Sequence, residues 1–412
     1  MIEDLHIHTF PNGIRLVHKQ VQATQISHVG VMLDIGSRDE KPHQQGLAHF
    51  WEHMAFKGTS KRNAFHILNR LEVVGGELNA YTTKEKVCFH ASVLKQHYER
   101  AIELLTDIAF HSIFPEKLVD RERNVILEEM SMYYDSPEDA IQDDFDELLF
   151  ANHQLGKNIL GNQDSVSNFT PKDLHVFIDE NLDTENIVIS STSNLDFEYV
   201  KNITEKFIKE IPYKKTNRIR TSPKSYTPQI QQVNRKITQA QVALGRPSYA
   251  LNHKNRLPFF MLVNHLGGPA MNSRFNVSLR EKNGLVYSID ANYTPYIDTG
   301  FMAIYFGTEQ NKIEKSLSLV KKELNLVTEN TLTKTQLSTL KDQLKGQLAM
   351  AEESNMGFMQ MMAKSLLDMD KIDSLGEIFS QIDAVTSPQL QDIANEMFKE
   401  KDFSYLTFLP EA

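Results

Sequence analysis

The chain has 412 residues, 41% of them hydrophobic and 24% charged, with a formal net charge of −10. Single hydrophobic cores stop growing beyond ~250–300 residues, so two domains are expected. The acidic balance excludes a general nucleic-acid binder, and no apolar run is long enough to cross a bilayer.

Taken in chain order, His6 and His8 alternate within Leu5-His-Ile-His-Thr-Phe10, and Pro11-Asn12-Gly13 follows at once. The alternation in Ile14–Lys19 and Ser27–Ile35 then predicts antiparallel strands joined by a tight turn, with both histidines as ordinary strand residues. Gly46 to Lys57 predicts a helix closed by Gly58. Leu47, Trp51 and Met54 lie along one side of it and His49, His53 and Phe56 along another, so almost no position is freely polar and the helix should be buried. A second helix over Ala64–Val74 breaks at Gly75-Gly76, before the extended Leu78–Thr83 and a strand over Val87–Val93. Helices are predicted over Tyr98–Phe110, from Glu116 behind Pro115 to about Tyr134, around Ala140–Phe150 and over Pro171–Asn181, and then a strand over Asn186–Ser191.

Tyr213–Gln229 is rich in Lys, Arg, Ser, Thr and Pro and predicts an exposed linker, with Lys214, Lys215, Arg218 and Arg220 as a solvated basic cluster. This sets an N-terminal domain over 1–212, a linker over 213–229 and a C-terminal domain over 230–412. Beyond the linker come a strand around Gln241–Gly245, a helix over Arg256–His265, and strands Ser288–Tyr293 and Gly300–Gly307. Long helices over Gln310–Glu329 and Lys334–Glu353, a helix near Ser387–Lys399 and a strand over Phe403–Leu409 complete the pattern. Both halves run strand, strand, helix, strand, helices, strand, which suggests duplication. The expected fold class is α+β, with two similar domains, each a mainly antiparallel β-sheet packed with helices.

The chemistry concentrates in His49-Phe-Trp-Glu-His53. Histidines at i and i+4 on a helix point the same way, so His49 and His53 can grip one ion of the zinc type. Glu52, beside the second ligand, can reach the ion's water and act as general base. This is the H-x-x-E-H arrangement, the reverse of H-E-x-x-H. A catalytic zinc needs a third protein ligand, and the Glu116–Tyr134 helix offers Glu122, Glu128 and Glu129. Glu122 and Glu129, seven residues apart, share a face. That spacing lets Glu129 bind metal while Glu122 orients a ligand histidine, with Glu128 turned to solvent. The competing reading of each, buried structural histidines and a charged solvent face, is common in helices of this kind.

These motifs, with Met54-Ala-Phe-Lys-Gly-Thr59, Thr9–Arg15, Gly75-Gly-Glu-Leu-Asn-Ala-Tyr-Thr82, Glu122–Met130 and Met271–Thr308, resemble the pitrilysin/insulinase-type inverzincin zinc peptidases over nearly the whole chain. The nearest resemblance is to the branch of mitochondrial processing peptidase and its bacterial homologues. It implies one Zn2+ per chain on His49, His53 and Glu129, Glu52 as general base and Glu122 as a supporting carboxylate. It further implies that Asn79, Ala80, Tyr81 and Thr82 hold the substrate main chain as an added strand. Arg280 and Tyr287, in Leu279-Arg-Glu-Lys-Asn-Gly-Leu-Val-Tyr287, resemble the family's arginine–tyrosine pair and imply substrate-carbonyl and oxyanion contacts.

The expectation is a zinc-dependent endopeptidase of unstructured peptides, a homodimer whose every subunit holds a complete set of site residues. The alternatives are the catalytic subunit of a heterodimer with an inactive partner, and a non-catalytic scaffold of the same fold. Cys88 is the only cysteine, and the N-terminus shows no signal or transit pattern, so a cytoplasmic, bacterial location is expected, with neither membrane nor nucleic acid as partner.

Overall fold

The computed structural model describes residues 3–411. The first half of the chain supplies β1 (Leu5–Thr9), β2 (Arg15–Gln20), β3 (Ile26–Leu33), α1 (Leu47–Ala55), α2 (Ala64–Glu72), β4 (Glu77–Thr82), β5 (Val87–Leu94), α3 (Tyr98–Phe110), α4 (Glu116–Tyr134), α5 (Pro137–Leu149), α6 (Gln163–Asn168), α7 (Pro171–Asn181), β6 (Ile187–Ser193) and α8 (Phe197–Ile208). The second half supplies β7 (Ile230–Arg235), β8 (Ala240–Ser248), α9 (Arg256–Gly267), β9 (Val286–Pro295), β10 (Gly300–Thr308), α10 (Ile313–Glu329), α11 (Lys334–Glu352), α12 (Asn355–Met369), α13 (Leu375–Ala384), α14 (Ser387–Met397) and β11 (Ser404–Pro410). His6 and His8 are strand residues, as expected: His6 stacks on Phe197 and His8 meets Phe10 edge to face.

The two sheets have one topology. The first runs β1-β2-β6-β3-β5-β4 and the second β7-β11-β8-β10-β9. Without β1, the first order matches the second strand for strand, and β2 with β6 is parallel just as β7 with β11 is. The fold is therefore α+β with two similar halves, as the repeated element order suggests.

The residues sort into two compact units that are discontinuous in sequence. One gathers the chain up to Met130, Lys157–Arg220 and Met350–Ser374; the other gathers Ser131–Gly156, Thr221–Ala349 and the chain from Leu375 on. In the first unit, Val29, Val31, Leu33, Phe89, Ala91 and Ile189 pack one sheet face against α1 and α3. The opposite face presents Val17, Met32, Cys88 and Val188, and is covered by Phe358, Met362, Ala363 and Leu366 of α12, a helix from the far half of the sequence. In the second unit, Ala140, Ile141, Phe145 and Leu148 of α5 cover the corresponding face through Ala243, Phe301, Ala303 and Phe408. Each such buried Val, Leu, Ile, Phe or Met side chain stabilises its unit by roughly 1.5–3 kcal/mol, which is enough to hold a helix away from its sequence neighbours.

Two of the four residues of the basic cluster depart from expectation, while Lys215 is exposed. Arg218 and Arg220 are not solvated. Arg220 bonds Asp39 at 2.7 and 2.8 Å, Asp34 at 3.0 Å and the Glu85 carbonyl at 3.0 Å, while Arg218 reaches Asp34 at 2.7 Å. Lys86 completes the group by pairing with Asp34 and Asp368. The reason is local: β3 ends beside the Thr83–Lys86 turn with its carboxylates half-buried, and buried anions require cations. Burial alone would raise the Asp34 carboxyl, but Arg220, Lys86 and Arg218 outweigh it and hold it at about 2. A depressed carboxylate stabilises the fold above its unfolded pKa of about 4 and loses that contribution as pH falls toward 2. Asp34→Asn should cost on the order of 2 kcal/mol at neutral pH and flatten the acid limb of stability between about pH 4 and 2, read by urea denaturation across a pH series. An unchanged acid limb would show that the network carries no such linkage.

Candidate metal centre

The entry to α1 is fixed by backbone needs. Gly46, its N-cap, sits at φ 95°, where side chains strain, and a Cβ there would stand 2.4 Å from the Leu160 carbonyl oxygen. Gly46 has no side chain with which to cap the helix. The buried Glu40 does so instead, its two oxygens accepting the Gly46 and Ala48 N–H groups at 3.0 and 2.8 Å. Leu47, Trp51 and Met54, all fully buried, anchor one face in the core. The helix ends at Ala55 rather than at the expected Lys57, because the Phe56 N–H turns back to the His53 carbonyl and Gly58 leaves to bridge Asn63.

On the remaining face the His49 and His53 rings lie 4.5 Å apart. α4 crosses opposite them with Glu122 and Glu129, while Glu128 is exposed. Glu129 Oε1 is 3.8 Å from His49 Nε2, and its Oε2 is 3.4 Å from His53 Nε2. These separations are too long for good hydrogen bonds. They suit donors around a common ion, since tetrahedral ligands at 2.0–2.1 Å from zinc stand about 3.4 Å apart. Ligand atoms of His49, His53 and Glu129 all fall within 4.8 Å of one another, and among the described residues no other His, Cys, Asp or Glu group does this. The donor set, two imidazoles and a carboxylate, fits a divalent ion of the zinc type.

The surroundings are arranged for a cation. Glu122 Oε1 accepts from His53 Nδ1 at 2.9 Å, turning Nε2 toward Glu129, and Lys57 donates to Glu122 Oε2 at 2.7 Å. Burial would lower His53, yet its bond to Glu122, the close approach of Glu129 and the charge of both carboxylates outweigh this and raise it to about 9. His49 goes the other way, to about 4, through burial and the neighbouring His53. The same concentration of carboxylate charge attracts a metal ion. The role of Lys57 escaped the sequence reading; the available signal was a cation four residues after His53, just past the end of α1.

Glu52 is partly buried, and this burial holds it above its ordinary range. Its Oε2 accepts from Thr82 Oγ1 at 2.5 Å. Thr82 ends β4, the edge strand of the first sheet, whose only sheet neighbour among the described residues is β5. The register Asn79↔His90, Ala80↔Phe89, Tyr81↔Cys88 and Thr82↔Val87 divides the strand. Ala80 and Thr82 share the α1 face with Phe89 and Val87, and Asn79 and Tyr81 share the α12 face with Cys88.

In the second unit, Arg280 lies in a π-turn, Asn276–Glu281, followed by Gly284 at φ 57°. Its guanidinium stands 5.7 Å from the ring centre of Tyr287, which is 83% exposed at the start of β9. The unit thus brings the arginine and tyrosine together. α11 has the length of α4, and Gln347 occupies in it the place of Glu129 in α4. Gln347 accepts from Asn264 of α9 at 3.0 Å.

Residues 15–163 match the insulinase family, peptidase family M16, and residues 168–344 match the peptidase M16 inactive domain. The chain is 32% identical over 393 residues to the uncharacterized zinc protease YmxG of Bacillus subtilis, covering 95% of each chain. It is 31% identical over 396 residues to an uncharacterized zinc protease of Streptomyces coelicolor, covering 94% of this chain and 86% of that one. A protease from Helicobacter pylori superposes with a TM-score of 0.91 at 21% identity, covering 98% of this chain and 99% of that chain. A peptidase M16 inactive domain from Pseudomonas fluorescens also gives a TM-score of 0.91, at 17% identity, covering 99% of this chain and 98% of that one. These last two likenesses concern the fold alone. The chain belongs to peptidase family M16, the insulinase family. No helix among the described residues is long and apolar enough to cross a membrane.

Proposed function

We propose that the chain is a zinc-dependent endopeptidase of unstructured peptides, with one zinc held by His49, His53 and Glu129. The observation that carries this reading is the convergence of those three donors, with Glu52 one residue from a ligand. Zinc, when bound, supplies the Lewis acidity that acidifies a water and polarises a carbonyl. The chain's own residues do the rest. Glu52, kept above its ordinary pKa by burial, takes the proton of the attacking water and returns it to the leaving amine. Glu122, held against the effect of burial below its ordinary range by His53 and Lys57, orients the His53 ring. The free edge of β4 pairs with the substrate main chain through Asn79–Thr82. Arg280 binds substrate carbonyls and Tyr287 donates to the oxyanion. We further propose a homodimer in which each subunit carries the full set.

Glu122→Ala should weaken zinc binding about 10–100-fold while the protein stays folded, read by competition with a chromogenic chelator. Unaltered affinity would remove Glu122 from the site. The reading as a whole is tested by incubating the protein with a mixed peptide library and mapping products by mass spectrometry. Internal cuts support it; a library left intact at any zinc level contradicts it.

A further inference from the structure

We infer that Thr82 is a positioning residue for Glu52, so that the strand edge offered to substrate also aims the base. The inference rests on the endopeptidase reading and deepens it. Glu52 has three rotatable side-chain bonds, and a carboxylate on such a stem needs a second contact if it is to hold one orientation. The Thr82 hydroxyl provides it, donating to Oε2 at 2.5 Å. A hydroxyl has one proton, so this contact commits it, and Oε1 is left to take a proton from water.

Thr82 is suited to the task by its place. Register with Val87 turns it to the α1 face, where β4 packs against the helix carrying Glu52. Its β-branched side chain has restricted χ1 freedom, so the backbone position of β4 largely fixes the direction of the hydroxyl. β4 is an edge strand, and a peptide pairing along it would restrain the same backbone that holds Thr82. Substrate pairing and base orientation are thus joined through one residue, and the side chain contributes separately from the main chain. Neighbouring residues do not duplicate the contact: Tyr81 faces the opposite side of the sheet, and the Thr83 hydroxyl bonds the Lys86 carbonyl.

The test compares Thr82→Val with Thr82→Ser in the full chain loaded with zinc, measuring zinc content, kcat and KM on one peptide. Valine keeps shape and backbone but removes the donor. It should lower kcat about 10–100-fold, the range for residues that orient a catalytic group, with zinc content and KM unchanged. Serine should recover most of the loss. In a Glu52→Gln background, Thr82→Val should cost little further, because the two act as a unit. If Thr82→Val raises KM instead, loses zinc, or cleaves like wild type while Glu52→Gln is inactive, the positioning role is overturned and the endopeptidase reading stands. If Glu52→Gln cleaves like wild type, that reading fails and the inference fails with it.

Discussion

Glu52→Gln should retain zinc and lose about 10²–10⁴-fold in kcat, the contribution of a positioned general base. Glutamine has the same shape, its amide oxygen can still accept the Thr82 hydroxyl, and the ligands His49, His53 and Glu129 are untouched. What it cannot do is take a proton at neutral pH. Metal content measured beside peptide turnover separates the two effects. A variant that cleaves as wild type would show that Glu52 is not the base, and one that loses its metal would show that Glu52 serves the fold or the ligand set instead.

Glu129→Ala should act on the metal itself. It removes the only carboxylate among the three donors and leaves two imidazoles. Loss of an outer carboxylate costs 10–100-fold in metal affinity, so loss of a direct ligand should exceed about 100-fold and abolish cleavage at equimolar zinc. Glu128→Ala, at the exposed neighbouring position, should bind zinc and cleave as wild type. Equal affinity of the Glu129→Ala and Glu128→Ala proteins, in titration against a chelating dye, would place the third ligand elsewhere.

The contrast between Glu128 and Glu129 also marks how far the sequence could be read. Seven residues on a helix return to the same face, so Glu122 and Glu129 were separable from Glu128 by spacing alone, and His49 with His53 by their four-residue step. Most strands and helices followed from apolar period, and Tyr98–Phe110, Glu116–Tyr134 and Pro171–Asn181 fall where it put them, whereas β7, α6, α8, α12 and α13 were not read. Long-range pairings did not follow. Nothing in the periodicity of Met356-Gly-Phe-Met-Gln-Met-Met362 says that its helix covers a sheet built from the first half of the chain. Arg218 and Arg220 read as solvated because their partners, Asp34 and Asp39, lie far away in sequence. The Thr82 hydroxyl was hidden for a related reason: strand alternation gives a side chain's face but not the helix that waits on it.

In the proposed function, one metal centre in the first unit performs peptide hydrolysis. The most direct measurement is peptide cleavage by a single preparation before chelation, after chelation and after stepwise return of zinc, with bound zinc counted at each step. Cleavage should disappear with the metal and return in proportion to zinc, saturating at about one ion per chain, the capacity of one three-ligand site. Cleavage that persists in metal-free protein would contradict it.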